Sequence, residues 1–147
     1  MTSEVNPGLG VTAASGFKAA GVAAGIKASG AKDLALVVSE GPEWTAAGVF
    51  TLNRFAAAPV VWSREVLADG QLRAVVLNSG GANACTGDDG LADTRATAET
   101  AADLLGCDAG QVAVCSTGLI GQRLPMDKVL AGVATAAHQL AADGGLA

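Results

Sequence analysis

The 147-residue sequence sets nine Lys and Arg against fourteen Asp and Glu, a net charge of -5 with a pI of about 4.6. Scattered basic residues and no Tyr argue against nucleic acid as a partner. Half the residues are apolar but only 3% are aromatic, so the mean hydropathy of +0.40 reflects an alanine-rich interior.

The strongest apolar run, Leu34-Ala-Leu-Val-Val38, falls far short of the roughly 20 residues that cross a bilayer, which argues against a membrane role. Met1-Thr-Ser-Glu-Val-Asn-Pro-Gly8 has no basic start and no apolar h-region, so the expectation is a cytoplasmic protein. Cys85, Cys107 and Cys115 lack Cys-x-x-Cys spacing, and His138 is the sole histidine. Neither a disulfide framework nor a metal site is expected.

Residues 1–10 read as an exposed lead-in, and residues 11–147 as a single α/β domain. The glycine-bearing stretch Gly16-Phe-Lys-Ala-Ala-Gly-Val-Ala-Ala-Gly-Ile-Lys27 reads as a bent strand, paired as a hairpin with Leu34–Ser39 across the turn chemistry of residues 29–33. A third strand is expected over residues 45–51. Pro59 should limit any helix from Phe55, with Val60-Val-Trp62 as a brief strand and Ser63-Arg-Glu65 as a helix start.

Residues 72–77 form a strong strand candidate that feeds a loop of small polar residues, 78–87. A helix over about 90–105 follows, its stripe being Leu91, Ala98, Ala102 and Leu105, with Asp93, Thr97 and Asp103 pointing elsewhere and Gly106 as the stop. Gln111-Val-Ala-Val-Cys115 is the next strand. It breaks into Ser116-Thr-Gly118, and a helix over about 126–142 puts Met126, Val129, Leu130, Val133, Ala137 and Leu140 on one face. The second half thus holds two successive strand–loop–helix units, which predicts a mixed sheet with helices packed on it, α/β bordering on α+β, and two loops emerging close together.

Several chemistries fail on spacing. Gly25-Ile-Lys-Ala-Ser-Gly30 has P-loop glycines, but Ala31 precedes Lys32 and Asp33 stands where Ser or Thr is needed. No Ser has Gly on both sides at two residues, so there is no hydrolase elbow. His138 falls on the polar flank of its helix, and Glu40, Glu43, Asp88 and Asp89 sit in turns as solvent-facing charges. Thr117 and Gly118 remain: a hydroxyl beside a residue without Cβ, at the end of an apolar strand, reads either as a plain turn or as two donors for an oxyanion. Asn83 and Thr86 are expected to fix their turn, and Cys85 and Cys115 to be small buried fillers.

Two blocks, Leu77-Asn-Ser-Gly-Gly-Ala-Asn-Ala-Cys-Thr-Gly87 and Val114-Cys-Ser-Thr-Gly-Leu-Ile-Gly-Gln-Arg-Leu-Pro-Met126, resemble the N-terminal, α-chain side of the ornithine acetyltransferase family, the bifunctional glutamate N-acetyltransferases of arginine biosynthesis. Residues 16–27 and Ala47-Gly-Val-Phe-Thr51 fit the same family in the same order. The resemblance implies a layered, N-terminal-nucleophile-like fold and autocleavage before a threonine that becomes the nucleophile. It implies acetyl transfer from N2-acetylornithine to glutamate, with acetyl-CoA as a further co-substrate of bifunctional members and no bound cofactor. It implies partners as well: the rest of the α chain and a β chain carrying the nucleophilic Thr, assembled as α2β2 or larger. The family's oxyanion pair maps onto Thr117 and Gly118. Residues 1–147 alone are then expected to be inactive, the nucleophile lying beyond them. The rival expectations are an N-terminal-nucleophile aminopeptidase of related fold and a non-catalytic binding or assembly domain.

Overall fold

The computed structural model describes residues 7–146, so most of the expected lead-in (residues 1–6) lies outside the described residues. Pro7–Thr12 forms a 3-10 turn, and the backbone of Gly10 lies against Gly145 in a second such turn, Gly144–Leu146.

Four strands, β1 (Phe17–Val22), β2 (Leu34–Ser39), β3 (Ala74–Gly81) and β4 (Val112–Leu119), form one sheet in the order β1-β2-β3-β4. The first two pairings are antiparallel and β3 runs parallel to β4. Three helices accompany them: α1 (Ala58–Val66), α2 (Gly87–Leu105) and α3 (Met126–His138). The expected mixed sheet with packed helices, the hairpin of β1 with β2 and the two strand–loop–helix units are all present.

Strand alternation decides which face is buried. Leu34, Leu36 and Val38 of β2 share a face with Val76 and Ala74 of β3 and, through the register, with Val112 and Val114 of β4. All seven are buried, and Val129, Val133 and Ala136 of α3 with Ala98, Ala101 and Ala102 of α2 join the same core. Small residues on both helices let them pack closely on the sheet. At about 25 cal/mol per Å² of apolar surface, such burial is the main force holding helices to strands. The opposite face holds Ala35, Val37, Val75, Leu77 and Cys115, of which Leu77 and Cys115 are exposed. Among the described residues no helix covers this second face.

The local chain departs from the expected pattern at several points. Residues 45–51 are not a strand: Thr45 makes one bridge to Gln71, and beyond it the chain runs exposed, with Val49 fully in solvent. Val60 to Trp62 are helical. Pro59 sits in the first turn of α1, where its missing N–H costs nothing, so it starts this helix and does not end an earlier one. Ser63 lies inside α1, not at its start. Helix α2 begins at Gly87, and Asp93 and Thr97 are buried on its inner side although composition put them outside. Asp93 is buried with its carboxylate paired to Arg123, a partner that hydrophobic periodicity cannot see. Helix α3 stops at His138, four residues short of the expected end, because Ala141 returns to bridge Ala19 of β1.

Candidate functional site around the end of strand β4

The segments expected to be loops at 78–81 and 116–118 are strand. Asn78 to Gly81 extend β3, and Ser116, Thr117 and Gly118 extend β4 opposite Asn78, Ser79 and Gly80. The hydroxyl of Ser116 donates to Asn78 Oδ1 across the pair. Extension is bought with glycine. Gly80 has φ +115° and Gly118 φ +134°, and a Cβ on Gly118 would lie 2.5 Å from the carbonyl carbon of Gly80 and 2.6 Å from the amide of Gly81. The two backbones approach more closely there than any side chain allows.

Thr117 alternates with Cys115 onto the uncovered sheet face, and it is exposed. It lines a cleft of about 250 Å³ with Gly21, Lys32, Asp33, Ala35, Leu77 and Ser79. A second cleft of about 300 Å³, lined by Phe50, Pro59, Ser63, Val114, Cys115 and Ser116, approaches the same strand from the other side. The hydroxyl of Thr117 has no hydrogen-bond partner among the described residues.

The direction of the Gly118 amide follows from the strand edge. β4 is the last strand of the sheet, and helix α1 closes the first part of its outer edge. Trp62 Nε1 donates to Val112 O at 2.9 Å, while the buried Ser63 hydroxyl both donates to Val114 O (2.8 Å) and accepts from Val114 N (3.0 Å). Gln111 O and Leu119 O, at odd positions, accept instead from Arg73 N and Ala82 N on the β3 side. In a parallel ladder, a residue's N–H and C=O point to the same side and alternate along the strand. Gly118, in step with Val112 and Val114, therefore directs its amide to the outer edge, beyond the last residue of β4 to which α1 hydrogen-bonds. A hydroxyl on the open face and an amide at the open edge meet at one corner of the sheet.

The neighbouring loops are pinned. Asp33, buried, accepts from Ala24 N (2.7 Å) and Lys27 N (2.8 Å), while its own carbonyl accepts from Ser79 N at 2.8 Å. Burial pushes its carboxyl up, but the amides of Lys27, Ala24 and Ile26 and the Lys27 charge outweigh it, and the net shift is downward. Asn83 is wholly buried at φ +47°. Its Nδ2 donates to Gly90 O and Thr94 Oγ1 in α2 and its Oδ1 accepts from Thr86 Oγ1, so the two residues bond to each other and Asn83 ties the turn to the helix that follows. Cys85 and Cys115 are exposed, not buried fillers: Cys85 takes φ +57° at the outer bend of this turn, and Cys115 faces the uncovered side of the sheet. The surroundings of the Cys115 thiol nonetheless desolvate it and push its pKa up.

His138 is exposed at the end of α3. No group of three or more His, Cys, Asp or Glu is placed to hold a metal ion among the described residues, and no helix is long and apolar enough to cross a membrane. Ser63 as the edge closure and the pairing of Arg123 with Asp93 were not found by sequence reasoning. Their partners lie 51 and 30 residues away, beyond any local pattern.

Comparison with known proteins bears on the same segment. The ArgJ family model matches residues 18–146. The arginine biosynthesis bifunctional protein ArgJ of Streptomyces coelicolor is 67% identical over 137 residues, covering 93% of this chain and 36% of that protein. The protein of the same name from Mycobacterium tuberculosis H37Rv is 66% identical over 142 residues, covering 93% and 35%. The chain thus spans about a third of the length of these relatives. The crystal structure of ornithine acetyltransferase from Mycobacterium tuberculosis, complexed with ornithine, matches with a TM-score of 0.93 at 62% identity, over 95% of this chain and 76% of that one. ArgJ from Bacillus halodurans matches with a TM-score of 0.85 at 38% identity, over 95% and 73%. A family model spanning nearly all the described residues and two solved relatives with the same fold place the chain in the ArgJ family.

Proposed function

We propose that the chain supplies the oxyanion-holding wall of an acyltransferase that moves acetyl from N2-acetylornithine to glutamate in arginine biosynthesis. The observation that carries this reading is the corner at the end of β4, where Thr117, its hydroxyl unpartnered among the described residues, lines an open cleft and the next residue, Gly118, turns its amide to the strand edge. The nucleophile is a threonine hydroxyl on a companion segment released by autocleavage. It attacks the acetyl carbonyl while its own α-amino group takes the proton. Negative charge then gathers on the carbonyl oxygen, and two fixed donors stabilise it without reorganising at the moment of reaction. Collapse of the tetrahedral species expels ornithine and leaves an acetyl-threonine. The glutamate amine attacks that ester through the same oxyanion geometry, and acetyl-CoA serves as a further donor.

The sheet face that no helix covers, with half-buried Val37 and Val75 and exposed Leu77 in it, supports a partner that lies over the site. That partner is the remaining α-chain segment together with the β chain, assembled as at least α2β2. Removing one oxyanion donor costs about 10²–10³ in kcat. Thr117→Ala in the full-length enzyme should therefore lower kcat by that range while KM for N2-acetylornithine changes much less. An unaltered kcat removes Thr117 from the reaction. Transfer of acetyl to glutamate, as against release of free acetate, separates this activity from a hydrolase using the same donors.

A further inference from the structure

A glycine at φ +134° holds no preferred direction of its own, so the Gly118 peptide must be fixed by what flanks it. The β3 ladder holds the chain on both sides of it, from Thr117 to Leu119, where the sheet ends. Downstream the chain continues as a strap, residues 119–124, before Pro125 and α3. Leu119 and Ile120 at its start are exposed. The strap is tied back over the turn that joins β3 to α2. Leu119 O accepts from Ala82 N at 2.9 Å, and Gly121 N donates to Ala84 O at 2.8 Å. Leu124 is buried over Gly81, which has no room for a Cβ beneath it.

Between these ties sits Arg123. Its Nε donates to Asp93 Oδ2 at 3.1 Å and its Nη2 to Asp93 Oδ1 at 2.7 Å, a two-pronged fork on one carboxylate, while Nη1 reaches Asp89 Oδ2 at 3.2 Å. Asp93 is only 6% exposed and stands on the inner side of α2, so the fork locks the strap to a rigid helix and not to another loop. Planar bidentate pairing fixes orientation as well as distance, which a lysine at the same place does not do.

We propose that Arg123, forked on Asp93 and steadied by Asp89, is a positioning residue that sets the direction of the Gly118 amide by anchoring the strap behind it. This rests on the reading of Thr117 and Gly118 as the oxyanion donors. Arg123 touches no reacting atom. Its effect reaches the reaction through the four residues of strap between it and Gly118, and small misplacements of a catalytic group are costly.

The test uses the full-length enzyme and four variants: Arg123→Ala, Arg123→Lys, Thr117→Ala and the double variant Thr117→Ala/Arg123→Ala. Arg123→Ala should lower kcat by about 10- to 100-fold, the scale of an ångström-sized displacement. KM for N2-acetylornithine should move by far less, because substrate binding does not use the oxyanion donors. Arg123→Lys keeps the charge but not the fork; it should stay folded and still lose kcat, and it carries the test if the alanine variant does not fold. In the double variant the losses should not multiply, since both changes spoil one donor pair. A parental kcat in both Arg123 variants, or fully multiplicative losses, overturns the proposal while leaving the Thr117 reading intact if Thr117→Ala is slow. A parental kcat for Thr117→Ala overturns that reading itself, and this inference with it.

Discussion

Replacing Gly118 by Ala tests whether the end of β4 is as closely packed as its geometry requires. Gly106 provides the reference, because it also has a positive φ (+64°) but a Cβ there meets nothing within 4 Å. Gly106→Ala should therefore cost only the left-handed backbone penalty, about 1–2 kcal/mol, partly offset by a stiffer unfolded chain. At Gly118 the φ of +134° is a glycine conformation worth about 1–3 kcal/mol of strain to another residue. The added methyl would also sit 2.5 Å from Gly80 C and 2.6 Å from Gly81 N. Both are backbone atoms and cannot rotate aside, so β3 and β4 must part by about 1 Å to reach ordinary carbon contact. Parting them weakens one or two ladder bonds at about 1 kcal/mol each. The sum is about 2–5 kcal/mol, or about 1–3 kcal/mol more than Gly106→Ala, a large share of the 5–15 kcal/mol typical of a domain. Urea unfolding followed through the fluorescence of the buried Trp62 reads the difference directly. Equal midpoints for the two variants, at equal slope, would refute the close approach of the strands and the reason given for glycine at both positions.

Two further outcomes follow from the supports of the site. Ser63→Ala leaves the amide and carbonyl of Val114 unpaired at a buried strand edge, and should cost about 2–4 kcal/mol in the same urea experiment; Ser63→Thr, which keeps the hydroxyl, should cost less. Asp33 has a folded pKa below its unfolded value of about 3.9. Its contribution is therefore complete above the unfolded pKa and is lost as pH falls through the folded one. Asp33→Asn should lower stability at pH 7 and flatten the decline below about pH 4, measured as the urea midpoint against pH; an unchanged acid limb would show that the amides of Ala24 and Lys27 do not hold a carboxylate.

What was legible in the sequence is what short-range patterns encode. The apolar runs at 34–38, 72–77 and 111–115 announced strands because β-branched residues alternate or cluster there, and Gly106 announced a helix stop that it makes at φ +64°. The block around Thr117 and Gly118 was recognisable by its letters. Its conformation was not, because small polar residues that commonly make turns here continue two strands side by side. Pro59 was misread for a related reason: proline stops a helix that precedes it and starts one that follows, and only the packing of Trp62 and Ser63 on β4 decides between them. Asp93 shows the remaining limit, since its burial depends on an arginine 30 residues away that no periodicity can connect to it.

The position of the candidate site follows from how an edge strand is finished. An outer strand presents a row of amides and carbonyls that must be covered, paired or left to solvent. Helix α1 covers this row at Val112 and Val114 with one indole and one hydroxyl, the last side-chain hydrogen bonds it makes to the strand edge. Beyond it the row continues through Ser116 to Gly118, and at that point the strand also loses its side chains to glycine. An uncovered amide is a liability in a finished fold and an asset in a site, because it is a donor that no other group has claimed. If Thr117 and Gly118 are the donors, as proposed, the chemistry lies beyond the last bond that α1 makes to this edge, and a variant whose cover reached Gly118 would gain stability as it lost the donor.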